Sequence, residues 1–135
     1  MVFFEFSADT PASTTKLSPV ETIMRLNAGI IHFVEFDFPA GCEGLVHATV
    51  NQGGVRIWPR NESDDIAGQF FPIRFNEFYE LAPGEAKLVM RTWNDDTENS
   101  HTVRIRIGVL QKDELFPEIK LGDLIRMFFR LFRRR

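Results

Sequence analysis

Between residues 86 and 110 the chain alternates in a way that leaves few folds open. Lys87, Val89, Arg91 and Trp93 alternate with Leu88, Met90 and Thr92, and Val103, Ile105, Ile107 and Val109 alternate with Arg104, Arg106 and Gly108. A polar stretch, Asn94-Asp95-Asp96-Thr97-Glu98-Asn99-Ser100, separates the two runs. Side chains on a strand point to opposite faces with period two, so each run offers one apolar face to a core. A slip of one residue would turn four aliphatic side chains out to water and bring two arginines in, so the register is strongly specified. The pattern predicts an antiparallel hairpin around which the other strands pack.

The rest of the chain up to Gln111 repeats this theme. Val2, Phe4 and Phe6 alternate with Phe3 and Glu5, and the small and polar residues 8–15 read as a loop. Residues 20–26 read as a strand. A short helix is the alternative there, with Ser18 as cap, Pro19 at its first position and Glu21 closing a capping box. In residues 30–38 the alternation puts Ile30, His32, Val34, Phe36 and Phe38 on one face and Ile31, Phe33, Glu35 and Asp37 on the other. Residues 45–50 and 55–58 are strands joined through Asn51-Gln52-Gly53-Gly54, whose glycines suit a turn that demands positive φ. Residues 59–65 form a surface loop. Pro72 within the apolar stretch 66–75 predicts an edge strand or a bulge, and residues 78–81 add a short strand. Eight or nine short strands without intervening helices predict an all-β fold, an antiparallel two-sheet β-sandwich of jelly-roll type. An immunoglobulin-like sandwich ranks second, because its Cys–Trp–Cys core is absent.

Beyond residue 111 the period changes. Lys112 to Glu118, with Pro117 as a breaker, reads as a linker. At 100° per residue Leu121, Leu124, Ile125, Phe128, Phe129, Leu131 and Phe132 share one side of a helix. Asp123, Arg126, Arg130, Arg133 and Arg134 fall on the other, with acid in the first turn and base in the last, as the helix dipole favours. The predicted organisation is a β-sandwich over 1–111, of which 1–19 is an N-terminal strand and loop, and a linker with a basic amphipathic helix over 112–135. Charge follows the same division. The net charge is −3, yet residues 121–135 hold five Arg and one Asp, leaving −7 on the other 120 residues. An apolar stripe beside a cluster of arginines points to an interaction tail. Docking on a neighbouring copy or a partner protein, as a helix in a groove, is the leading reading of that stripe. Packing on its own sandwich, lying on an anionic membrane surface and contacting nucleic acid phosphates are the alternatives. The acidic body opposes the last.

Candidate chemistry is sparse. The single Cys42 excludes an intrachain disulfide and makes a thiolate zinc site improbable. His32, His47 and His101 have no metal-binding spacing, although His32 and His47 are expected to face one another across adjacent strands. Loops 61–65 and 94–99 are rich in side-chain oxygens that a calcium ion would accept, but solvated turns need the same residues. No nucleophile elbow or Gly-rich phosphate loop occurs. No catalytic residue, metal or cofactor is therefore expected, and the protein is read as non-enzymatic. Trp58, Tyr79 and Trp93 provide an alternative ligand-binding reading, an aromatic platform for a sugar. No basic, apolar leader precedes the first strand, and no segment is long and apolar enough to span a membrane. Synthesis in a reducing cytoplasm is the expectation. The 14 Phe, against 2 Trp and 1 Tyr, exceed what a small core easily hides and suggest an interface.

The strand order, the Phe-Pro-Ala-Gly turn at 38–41, the apolar stretch 66–75 and the Asn-Asp loop before His101-Thr102 resemble small β-sandwich structural proteins of virus particles, of the decoration, cement or spike-base type. The resemblance covers residues 20–110 and carries over no functional residue. It implies a non-enzymatic subunit made in the cytoplasm, incorporated into a particle and held by contacts with its neighbours.

Overall fold

In a computed structural model of the chain, which describes residues 1–111 together with Arg126 and Arg130, the described residues form nine strands. They are β1 (Val2–Thr10), β2 (Val20–Arg25), β3 (Gly29–Asp37), β4 (Val46–Gln52), β5 (Val55–Trp58), β6 (Ile66–Ala67), β7 (Ile73–Leu81), β8 (Lys87–Asn94) and β9 (His101–Leu110). They build two antiparallel sheets. The first has the order β1-β9-β3-β7; the second has the order β2-β8-β4-β5, with β6 pairing to β4 beside β5. Residues 1–111 are thus all-β, in keeping with a β-sandwich.

The faces of β8 and β9 are as the alternation predicts. Val103, Ile105, Ile107 and Val109 are buried, and so are Leu88, Met90 and Thr92. Their pairing is not. β8 lies between β2 and β4 in the second sheet, and β9 lies between β1 and β3 in the first. The predicted hairpin is instead an arch from one sheet to the other. Period-two patterning shows which face of a strand is buried but not which strand is its neighbour. The six-residue connection 95–100 is long enough to cross between layers.

β1 runs on to Thr10, past the point where small residues suggest a loop, because β9 offers it partners as far as His101. The segment 20–25 is a strand, and the helical alternative falls. β3 departs from simple alternation at a bulge between Ile31 and Phe33. A bulge inserts one residue and resets the phase. Ile31, not Ile30, therefore joins Val34, Phe36 and Phe38 in the core cluster. Residues 73–81 form one continuous strand rather than two pieces. Pro72 sits just before it, and β7 is an edge strand, where a missing N–H is tolerated. Gly53 and Gly54 both take positive φ in the two-residue turn between β4 and β5.

The core lies between the sheets. Val103, Ile105, Ile107, Ile31, Val34 and Phe36 face it from the first sheet, and Met24, Leu88, Met90, Val46, Ala48 and Val50 from the second. Buried polar contacts cross it at one end: the hydroxyls of Thr10 on β1 and Thr92 on β8 lie 2.9 Å apart, and Asn94 Nδ2 on β8 donates to the Thr10 carbonyl at 3.2 Å. Three connections meet at that end. Ser13 N donates to the Asp96 carbonyl at 2.9 Å, Asn94 N to the Thr14 carbonyl at 2.9 Å, and Asp95 N to the Leu45 carbonyl at 2.8 Å.

Candidate functional site

The outward face of the first sheet is organised in rows that run across its strands. In one row Glu5, Arg106, Glu35 and Arg74 are register partners on β1, β9, β3 and β7. Glu35 is 7% exposed and accepts from Arg74 Nε and Arg106 Nη1, both at 2.6 Å. Burial alone would raise its pKa, but the hydrogen bonds and charges of Arg74 and Arg106 outweigh that and hold it below the usual value. The adjacent row is apolar. Phe3 pairs with Gly108, Gly108 with Phe33, and Phe33 with Asn76, beyond which Phe78 also faces outward. Phe3 and Phe33 meet edge to face at 6.0 Å. Met1 lies against His32 over Gly108. Phe3 is 57% and Phe78 73% exposed. This row sits where β9 ends and the chain continues into the tail.

The aromatic platform is not assembled. Trp58 belongs to the core cluster, where its Nε1–H donates to Glu77 Oε2 at 2.9 Å and its ring meets Phe75 and Tyr79 edge to face. The Tyr79 hydroxyl bonds Gln52 Oε1, and burial, the largest influence, raises its pKa. Trp93 alternates with the core-facing Thr92 and so lies on the outer side of the second sheet. It is only 5% exposed, stacked on His47 at 5.3 Å with Lys16 Nζ 5.5 Å from its ring centre. Trp58 and Tyr79 meet between the sheets, whereas Trp93 lies on the outer side of the second sheet, so the three rings present no common surface.

His32 and His47 do not meet either, because β3 and β4 belong to different sheets. His47 Nδ1 contacts Asp65 Oδ1 at 2.6 Å and its Nε2 contacts Asp95 Oδ2 at 2.9 Å. His101 Nε2 contacts Asp96 Oδ2 at 2.8 Å. Asp96 also accepts from the backbone N–H of Glu98 and Asn99. The Glu98 N–H, the strongest influence, and His101 bring its pKa down to about 2. The oxygen-rich loop 94–99 thus spends its acceptors on folding itself. Among the described residues no group of three His, Cys, Asp or Glu side chains could hold a metal ion. Cys42 is buried, and burial raises its pKa.

Of the predicted docking residues, Leu121, Leu124, Ile125, Phe128, Phe129, Leu131, Phe132, Arg133 and Arg134 lie outside the described residues. Arg126 and Arg130 have helical backbone and exposed side chains. Sequence reading missed the two outward faces as units. Strand order brings Phe3 and Phe33 together on one sheet, with Phe78 two residues beyond Asn76, the β7 partner of Phe33, and it brings Arg56 and Arg91 into one cleft on the other. The only local signal was the Phe excess. Among the described residues no helix is long and apolar enough to cross a membrane.

No protein family's sequence profile matches the chain, and no curated protein matches it. Among solved structures the chain is similar to FLHE, known from a crystal structure, at 6% identity over 78% of this chain and 94% of that one, with a TM-score of 0.44.

Proposed function

We propose that this is a non-enzymatic structural or assembly protein, a virion-type subunit whose C-terminal helix docks on a neighbouring copy. The observation that carries the reading is the set of outward-facing apolar side chains on one sheet, Met1, Phe3 and Phe33 together and Phe78 further along β7. Clustered exposed apolar side chains rimmed by charge mark an interaction surface, and the Glu5–Arg106–Glu35–Arg74 row supplies that rim. The tail begins beside it and carries seven large apolar side chains at helical spacing. Each contributes about 1.5–3 kcal/mol if fully buried, against which the loss of rotational and translational freedom on association must be set. The +4 tail also complements the −7 body. The strand order supports a jelly-roll arrangement. The first and last strands pair side by side, and most consecutive strands fall in opposite sheets, as interleaved Greek keys require. This is a common architecture of particle subunits. In this reading synthesis is cytoplasmic and the protein enters a particle by contact with its neighbours.

Light scattering on the full chain tests the reading. The full chain associates, and Phe3→Glu with Phe78→Glu abolishes association while the far-UV spectrum stays unchanged. Phe128→Glu with Phe132→Glu gives the same loss from the other side of the contact. A full chain that remains monomeric at high concentration contradicts the reading, as does association that survives both double substitutions. Sedimentation of the full chain with anionic vesicles would move the tail to a membrane surface.

A further inference from the structure

The outward face of the second sheet carries a cleft of about 350 Å³ to which Lys16, Arg56 and Arg91 contribute from three separate segments, with Glu21 as its single carboxylate. Trp93 forms one wall. The positive charges there are incompletely paired. Arg91 Nε lies 3.2 Å from Glu21 Oε1, close enough for attraction but not aligned as a hydrogen bond. Arg56 Nη1 donates to the Asp64 carbonyl at 2.9 Å, which fixes the guanidinium without neutralising it. The Nε atoms of both arginines are out of contact with solvent and have no hydrogen-bond partner. Beside them Asn51 is 8% exposed, and its Oδ1 is likewise unpartnered. Like charges drawn to one cleft repel, and a bound anion would turn that repulsion into attraction. The cluster is no by-product of composition, since carboxylates outnumber basic residues in the chain as a whole.

The basic character continues along the sheet. Arg25 and Lys87 are register partners on β2 and β8 and line a second cleft of about 520 Å³, with Glu85 as its carboxylate. Lys87 is four residues from Arg91 on the same strand, roughly 13 Å along it. Between the two clefts Ile23 and Val89 pair and present an aliphatic step. Cations at both ends of an apolar step match a linear ligand that carries repeated anionic groups on saturated rings. Single-stranded nucleic acid would need an open aromatic face for its bases. Trp93 does not provide one, being flanked by His47 and Lys16.

We propose that this face binds an anionic carbohydrate chain, with Arg56, Arg91 and Lys16 holding one sulfate or carboxylate and Arg25 and Lys87 the next. This is independent of the docking of the tail, which uses the other sheet. The test is calorimetric titration of the full chain with a heparin-derived hexasaccharide, its desulfated form and oligo(dT). Binding of the hexasaccharide is expected, with affinity lowered at least tenfold by Arg91→Gln and by Lys87→Gln. Ser in place of Arg133, Arg134 and Arg135 should leave it largely unchanged, which excludes the tail as the binding element. Retained binding of the desulfated form identifies carboxylates as sufficient, and its loss identifies sulfate as the group recognised; either supports the proposal. Lack of hexasaccharide binding overturns it. So does an affinity unaltered by both Arg91→Gln and Lys87→Gln, or oligo(dT) binding as tight as the sugar. Because the two variants lie in separate clefts, misfolding of one, seen in its thermal melt, leaves the other to decide.

Discussion

Glu35 shows how a single carboxylate can organise a sheet face. It is nearly enclosed, and two guanidinium groups stand at 2.6 Å from its oxygens. Glu35→Gln removes the charge and turns one of the two acceptor oxygens into an NH2 group that faces a guanidinium, so one arginine loses its acceptor. The cost expected is about 1–3 kcal/mol, the range for hydrogen bonds to charged groups, reduced because the arginines themselves reach solvent. Urea denaturation at neutral pH measures it. The pH dependence follows from the direction of the shift. Glu35 titrates lower in the folded chain than its ordinary 4.5, and Asp96 falls from 3.8 to about 2. Both contribute stability that is fully present above the unfolded values and is lost as pH falls through the folded ones. Stability should therefore drop from about pH 4 towards pH 2, and Asp96→Asn should flatten that slope. A slope unchanged in Asp96→Asn would remove Asp96 from the account. Thr10 and Thr92 make a different kind of pair. Thr10→Val orphans the buried Thr92 hydroxyl and should cost about 1–2 kcal/mol, Thr92→Val should cost less because the Thr10 hydroxyl keeps the Ala8 carbonyl at 3.4 Å, and the double replacement should cost less than the sum.

At the scale of the strand, the close approach of β3 to β9 is the most demanding contact. Gly29 has a φ of 153°, and a Cβ there would lie 2.5 Å from the Leu110 carbonyl oxygen and 2.9 Å from a Val109 methyl. Backbone cannot yield as a side-chain tip can. Gly29→Ala should therefore destabilise the protein by several kcal/mol and speed amide exchange at Ile30 and Leu110, while Gly84→Ala, with open space around it, strains only its own φ. Equal losses in the two variants would show that the approach is not tight. The same strands show where sequence was informative. Alternation identified the buried faces of β8 and β9, because burial leaves its mark residue by residue. It could not reveal that they lie in different sheets, since pairing depends on strands far away in the chain. It also put Ile30 rather than Ile31 on the face of Val34, Phe36 and Phe38, because a bulge adds a residue without any Gly or Pro to announce it. The outward faces were illegible for the same reason. Phe3, Phe33 and Phe78 share a face only once the strand order is known.

Over the whole molecule the two outer faces differ: one sheet carries exposed Phe3 and Phe78, and the other carries a cleft lined by Lys16, Arg56 and Arg91. In the proposed reading residues 1–111 fold without the tail, and the tail makes the protein assemble. Residues from Ala8 to Val109 on both sheets build one buried core cluster, which is why the body should stand alone. The most direct test compares the full chain with residues 1–111 by far-UV circular dichroism, thermal unfolding and light-scattering mass. The account predicts that the shorter chain keeps a β spectrum and a cooperative melt and has the mass of one copy, while the full chain is a larger assembly. A shorter chain that is unfolded, or one that assembles as the full chain does, would contradict it.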